Sequence, residues 1–147
     1  MKYTTEVSIN LPREKVISLF DSTENMYKWQ EGLKSFKVIS GDPGQKGSRS
    51  EMVYEGRRGD LTMIETITER NFPDEFFATY KAKGVYNEMY NYFTEPEENL
   101  TTWRSVSVFK FRGFMALMAP FMQNAFKSNT LLNMERFKTF AEKKANN

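Results

Sequence analysis

Polar and apolar residues alternate in TTEVSINL (4–11), with Val7, Ile9 and Leu11 on one side and Glu6, Ser8 and Asn10 on the other. That period of two predicts a half-buried strand. Pro12 ends it and suits the first position of a helix, and PREKVISLFDS places Val16, Leu19 and Phe20 at helical spacing. Asp21-Ser22-Thr23 breaks this helix. TENMYKWQ then starts another, with Thr23 as the candidate cap and Met26, Tyr27 and Trp29 to bury. From residue 33 the pattern turns to β. LKSFKVIS (33–40), SRSEMVYEG (48–56), LTMIETITE (61–69), EFFATYKAK (75–83), VYNEMYNYFTE (85–95) and LTTWRSVSVFKF (100–111) read as strands. The segments between them, GDPGQKG, Arg57-Arg58-Gly59-Asp60, Asn71-Phe72-Pro73-Asp74, Gly84 and EPEEN, are dense in turn formers. From 112 to about 143 the spacing is helical.

Six consecutive strands with short connections imply an antiparallel meander. The apolar face of such a sheet must be covered, and only the final helix is long enough to do it. The expected fold is therefore α+β: a curved antiparallel sheet of about seven strands, in the order β-α-α-β6-α, wrapped around a long C-terminal helix. With no linker, repeat or low-complexity segment, residues 1–147 are expected to form a single domain.

Composition narrows the chemistry. The chain lacks Cys and His, which removes disulfides, thiol catalysis, the usual metal ligands and every His-containing triad. Acidic residues show no metal-loop spacing. No metal or cofactor is expected, and any reaction would run on carboxylates, Tyr, Lys, Arg, Ser or Thr. Net charge is +2. Residues 111–147 carry six basic and two acidic side chains, so +4, and the remainder −2. This bias would suit an anionic lipid surface, but a solvated helix face is the preferred reading. The mixed charges of the strands argue against nucleic acid. GDPGQKG has neither a Walker nor a GxGxxG spacing. MKYTTEVSINLP lacks the apolar core of a signal peptide. No run reaches the roughly 20 apolar residues that span a bilayer, so a cytoplasmic protein without stable membrane insertion is expected. Nothing in the pattern specifies an oligomeric state.

The most apolar stretch is GFMALMAPFM (113–122). On a helical projection Phe114, Met118, Phe121, Met122, Ala125 and Leu132 form one stripe, drifting later to Phe126, Phe137, Phe140 and Ala141. Pro120 either kinks this helix or starts it. The stripe reads as ordinary core or as a ligand wall, for which adaptable Met side chains are suited.

On the strands, LTMIETITE sets Leu61, Met63, Glu65 and Ile67 on one face. If that face is inward, Glu65 is a carboxylate among apolar groups and must be paired, hydrogen-bonded or neutral. Ser50, Met52 and Tyr54 are the expected inner set of their strand. In the last strand, Trp103, Ser105 and Ser107 facing inward would leave volume for a cavity, while the alternate face with Val106 and Val108 is the more conventionally apolar one. VYNEMYNYF is aromatic on both faces.

The opening strand with LPREKVISLFDSTENMYKW, the hairpin LTMIETITERNFPDEFFATYK and the tail FMQNAFKSNTLLNMERFKTFAEK resemble the START-like superfamily. This superfamily is also called SRPBCC or helix-grip, and the likeness is nearest to its bacterial polyketide cyclase/dehydrase and lipid-transport group. The resemblance covers nearly the whole chain. It implies a deep cavity between sheet and helix that holds a small hydrophobic or amphipathic molecule. The candidate lining is Trp29, Met52, Tyr54, Met63, Glu65, Tyr80, Met89, Trp103, Phe114, Met118, Phe121 and Met122. The preferred reading is a binding protein for transport, storage or sensing. The second is a cyclase/dehydrase-like enzyme with Glu65 as acid or base and Tyr54, Tyr90 or Arg104 orienting an enolate or carbonyl. A third is a protein-interaction or stress-response domain with an incidental cavity.

Overall fold

The computed structural model describes residues 1–146. Strand β1 (Lys2–Ile9) is followed by helices α1 (Arg13–Phe20) and α2 (Thr23–Trp29). Six strands come next: β2 (Leu33–Ser40), β3 (Arg49–Tyr54), β4 (Leu61–Asn71), β5 (Glu75–Ala82), β6 (Val85–Glu97) and β7 (Leu100–Phe111). Helix α3 (Phe114–Ala145) ends the chain. All strands pair antiparallel in one sheet of order β1-β7-β6-β5-β4-β3-β2. The first strand therefore lies beside the last, and α1 and α2 carry the chain across to the far edge at β2. This is the helix-grip architecture, an α+β fold in which a curved sheet holds a long C-terminal helix.

Register fixes which residues face that helix. Tyr3, Thr5, Val7 and Ile9 alternate inward on β1 and pair with Ser107, Ser105, Trp103 and Thr101. Across β6 the inward set becomes Met89, Asn91 and Phe93, and across β5 Phe76, Ala78 and Tyr80. On β4 it is Met63, Glu65 and Ile67, and on β3 Ser50, Met52 and Tyr54.

The core gathers where α1, α2 and α3 meet β1, β6 and β7. The ring of Phe20, at the end of α1, lies 5.2 to 6.3 Å from those of Phe93, Trp103, Phe76, Phe137, Phe72 and Trp29. Most of these contacts are edge-on, the favoured arrangement for quadrupolar rings. Trp103 Nε1 donates to Asn91 Oδ1 at 3.0 Å, which satisfies a polar atom inside this cluster.

The caps differ slightly from expectation. Ser22, not Thr23, caps α2, its hydroxyl accepting from the Asn25 amide at 3.1 Å. Pro12 sits one residue before α1 in an extended conformation. Helix α3 runs through Pro120 without a break, so Pro120 neither starts it nor ends it.

The later part of the expected apolar stripe of α3, Phe137, Phe140 and Ala141, packs in the core, but its first part is corrected. The helix is anchored by Met134, Phe137 and Ala141, all essentially buried. Counting back from Phe137 at about 100° per residue, the inward line passes through Thr130, Phe126, Met122, Ala119 and Met115. Phe114, Phe121 and Leu132 lie about 140–160° from that line and are exposed. The C-terminal anchors set the helix rotation, and the crowd of apolar residues in the first turns cannot overrule it.

Truncation should expose this difference. Phe137→Ala removes a fully buried ring and should cost about 3–5 kcal/mol, whereas Phe121→Ala should stay within about 0.5 kcal/mol. Urea unfolding of both variants checks the pair. Equal losses would mean that the rotation of α3 is different.

Candidate functional site

The inward face of β3, β4 and β5 carries an unusual polar insertion. Glu65 is 7% exposed, near the middle of β4. It pairs across to Ser50 on β3 and Tyr80 on β5, with Met63 and Ile67 two residues away on the same face. The Tyr80 hydroxyl donates to Glu65 Oε2 at 2.8 Å. Among the described residues no Lys or Arg forms an ion pair with it. Tyr54, on the same face of β3, donates to Gln30 at the end of α2.

Burial sets the electrostatics. Removal from water pushes the Glu65 carboxyl above the usual carboxylate range, and the Tyr80 hydrogen bond offsets this only partly. Tyr80 is driven well above an ordinary phenol, first by burial and then by the neighbouring carboxyl. Tyr54 is raised by the same two causes in the same order. The trio therefore favours neutral forms. A protonated Glu65 would offer a hydrogen-bond donor, and an ionised one an acceptor.

The face around this trio is only partly covered. Helix α3 rests mainly on β1, α2 and β7, and the inward side chains of Met63, Tyr80 and Met89 stay half-buried. Met115 closes on the β5–β6 turn, where a Cβ on Gly84 would meet its Cγ at 3.2 Å. Gly84 also has φ +74°, so this close approach suits glycine alone. This half-covered face thus lies between the strands on one side and the first half of α3 on the other.

The twelve candidate lining residues separate into three groups. Met52, Tyr54, Met63, Glu65, Tyr80 and Met89 share the inward face, with Met118 and Met122 partly buried on α3. Trp29 and Trp103 belong to the packed aromatic core. Phe114 and Phe121 stand outside, 72% and 84% exposed. Two catalytic candidates are corrected as well. Tyr90 and Arg104 project from the opposite face of the sheet, because the register pairs Phe93 with Trp103 on the inner side and Tyr92 with Arg104 on the outer. There Tyr90 donates to Glu88 at 2.6 Å, and Arg104 stacks over the Tyr92 ring at 4.6 Å. Neither can reach Glu65.

Sequence reasoning missed Gln30 and Asn87. Gln30 meets Tyr54 only through the α2–β2 connection. Asn87 lies on the inward face opposite Tyr80 with its Oδ1 buried and without a protein partner. Its alternation with Met89 on one face of β6 was the available signal. Two surface concavities, of about 260 and 470 Å³, lie around Arg13 at the other end of the sheet. Arg13 in both is paired with Asp74 at 2.8 Å, and neither touches Glu65. Among the described residues no acidic cluster could hold a metal ion, and no helix is long and apolar enough to cross a membrane.

Comparison with known proteins bears on this site. The sequence profile of the family described as polyketide cyclase / dehydrase and lipid transport matches residues 1–142. The Zhui aromatase/cyclase from Streptomyces sp. R1128 superposes with a TM-score of 0.82 at 10% identity, over 99% of this chain and 95% of that one. A conserved protein from Geobacillus kaustophilus gives 0.81 at 15%, over 97% and 96%. TTHA0849 from Thermus thermophilus gives 0.77 at 15%, over 96% and 97%. At such identities the likeness is one of fold. No curated protein matches the chain in sequence.

The raised carboxyl has a consequence for stability. The folded chain holds the Glu65 proton more tightly than the unfolded chain does, so its stability should fall as pH rises from about 4.3 toward the raised folded value. Above that value it should level off. Glu65→Gln lacks this loss. The melting temperature of the variant minus that of the wild type should therefore grow from pH 4 to pH 8, by about 2–4 °C per kcal/mol. A difference that does not change with pH in a thermal melt series would place Glu65 in a water-like environment.

Proposed function

The chain belongs to the polyketide cyclase / dehydrase and lipid transport family, and on that premise we propose that it binds a small amphipathic molecule between the sheet and α3. The apolar body of the ligand lies along the half-buried Met63, Met89 and Met122. Its polar end, a hydroxyl or carbonyl, meets Glu65 and Tyr80. The observation that carries this reading is Glu65 itself, a buried carboxyl with a phenol partner and no cation. A buried ionisable group without a counter-charge costs stability, and a site that binds a polar atom there gives the cost a use. The unbranched methionines supply a wall that can adapt to several apolar shapes.

A second reading is favoured by the same trio. Glu65, raised by burial and flanked by two phenols, has the make-up of a general acid or base with neutral donors beside it. The fold likeness to an aromatase/cyclase supports an aldol-type ring closure on a carbonyl chain as the reaction to try first.

A thermal-shift panel of fatty acids, sterols and aromatic polyketides checks the binding reading. A true ligand at one hundred times its Kd should add about 2.7 kcal/mol of stability. Met89→Trp, which fills the proposed binding space between the sheet and α3, should abolish the shift while leaving a folded protein, and Glu65→Gln should weaken polar-headed ligands most. A panel without shifts, joined to a native mass spectrum without a co-purified molecule, would sink the proposal. Turnover of a cyclisable substrate that Glu65→Gln abolishes would favour the enzyme over the carrier.

A further inference from the structure

The first turns of α3 are apolar on the side that nothing covers. Phe114, Leu117 and Phe121 are 72%, 72% and 84% exposed. At 100° per residue they fall within about 60° of one another, so they form one ridge pointing away from the sheet. Three large apolar side chains held in a row on the outside of a small domain are a patch that calls for a partner. The patch extends through Met118 at its side, which is only partly buried.

The surroundings define what that partner is. The β3–β4 hairpin, the β5–β6 turn and the β7–α3 connection all lie at one end of the sheet, because Tyr54 pairs with Leu61 and Val85 with both Ala82 and Phe111. These connections present Arg57, Arg58, Lys83 and Arg112. Against them stand Glu31, Glu55 and Asp60, and Asp60 is taken by Lys34 at 2.8 Å. The opposite end carries Asp74, Glu95, Glu97 and Glu98 together with Lys15, Lys46, Lys143 and Lys144, and Arg13 is engaged to Asp74. The end where the apolar ridge emerges thus carries an excess of basic side chains, whereas the charges at the far end are mixed. An apolar ridge set among basic side chains matches a surface with negative charge outside and hydrocarbon beneath.

We propose that this end of the molecule docks reversibly on an anionic lipid bilayer, with Phe114, Leu117 and Phe121 entering the interface and Lys83 and Arg112 contacting the headgroups. The basic connections orient the approach, and the ridge then supplies apolar burial. α3 meets the interface only at its start, because it runs along β1 and its C-terminal half is fixed to β1 and α2. Docking does not rest on the identity of any ligand between the sheet and α3, since the ridge lies outside that space.

Vesicle flotation with the purified full chain tests this. Vesicles of phosphatidylcholine containing phosphatidylserine should carry the wild type, and vesicles of phosphatidylcholine alone should carry at least about tenfold less. Added salt should release it. F114S/L117S/F121S should lose binding at least tenfold while its melting temperature stays near that of the wild type, because the replaced side chains are exposed. K83E/R112E, with the ridge intact, should lose the preference for phosphatidylserine. Failure of the wild type to float with phosphatidylserine vesicles overturns the proposal, and so does undiminished binding by the triple variant. A concentration-dependent dimer in sedimentation, abolished by the triple variant in a protein that ignores vesicles, would assign the ridge to a second copy of the chain instead.

Discussion

The ring of Phe20 ties this structure together. It sits at the end of a two-turn helix and touches aromatic rings from α2, β5, β6, β7 and α3, with Phe72 from the end of the β4–β5 hairpin. Buried aromatic area is the largest single contribution per side chain that a core this small can gain. Concentrating it at one corner fixes both the crossing of α1 and α2 over the sheet and the place where α3 must land. Trp29 and Trp103, which an aromatic surplus suggests as cavity walls, are held within this cluster.

That concentration leaves the rest of the inward face with less cover. The C-terminal half of α3 is pressed against β1 and α2, so its first turns can only overhang the sheet. Beneath that overhang the strands carry side chains that a dry core would exclude: Ser50, Glu65, Tyr80 and Asn87. A carboxyl in such a place shifts toward its neutral form. The polar trio and the half-buried methionines are thus products of the same geometry that makes the aromatic corner dense.

The first turns of α3 show the complementary effect. They are apolar nearly all round, so whichever side faces the sheet, another apolar side must face outward. Met115, Met122 and Phe126 take the inner line, Phe126 lying 5.1 Å from the Phe109 ring. Phe114, Leu117 and Phe121 are left on the outer one.

The period-two runs from residue 33 to 111 determined by themselves that the chain would form an antiparallel meander, because the alternation of a strand is local and short turns leave few topologies. The gap between the strand pattern and the final 3.6-residue pattern likewise determined that one long helix would cover the sheet. The inward facing of Glu65 was legible too, since Leu61, Met63 and Ile67 share its parity. What only the tertiary structure decided was rotation and register. Helical spacing in GFMALMAPFM allows several apolar stripes, and Met134, Phe137 and Ala141, more than ten residues away, select the one that packs. Likewise VYNEMYNYF is aromatic on both faces, so only its pairing with β5 and β7 turns Met89 and Asn91 inward and sends Tyr90 outward. A pattern with equal hydrophobicity on both sides carries no information about direction, and contacts distant in sequence must supply it.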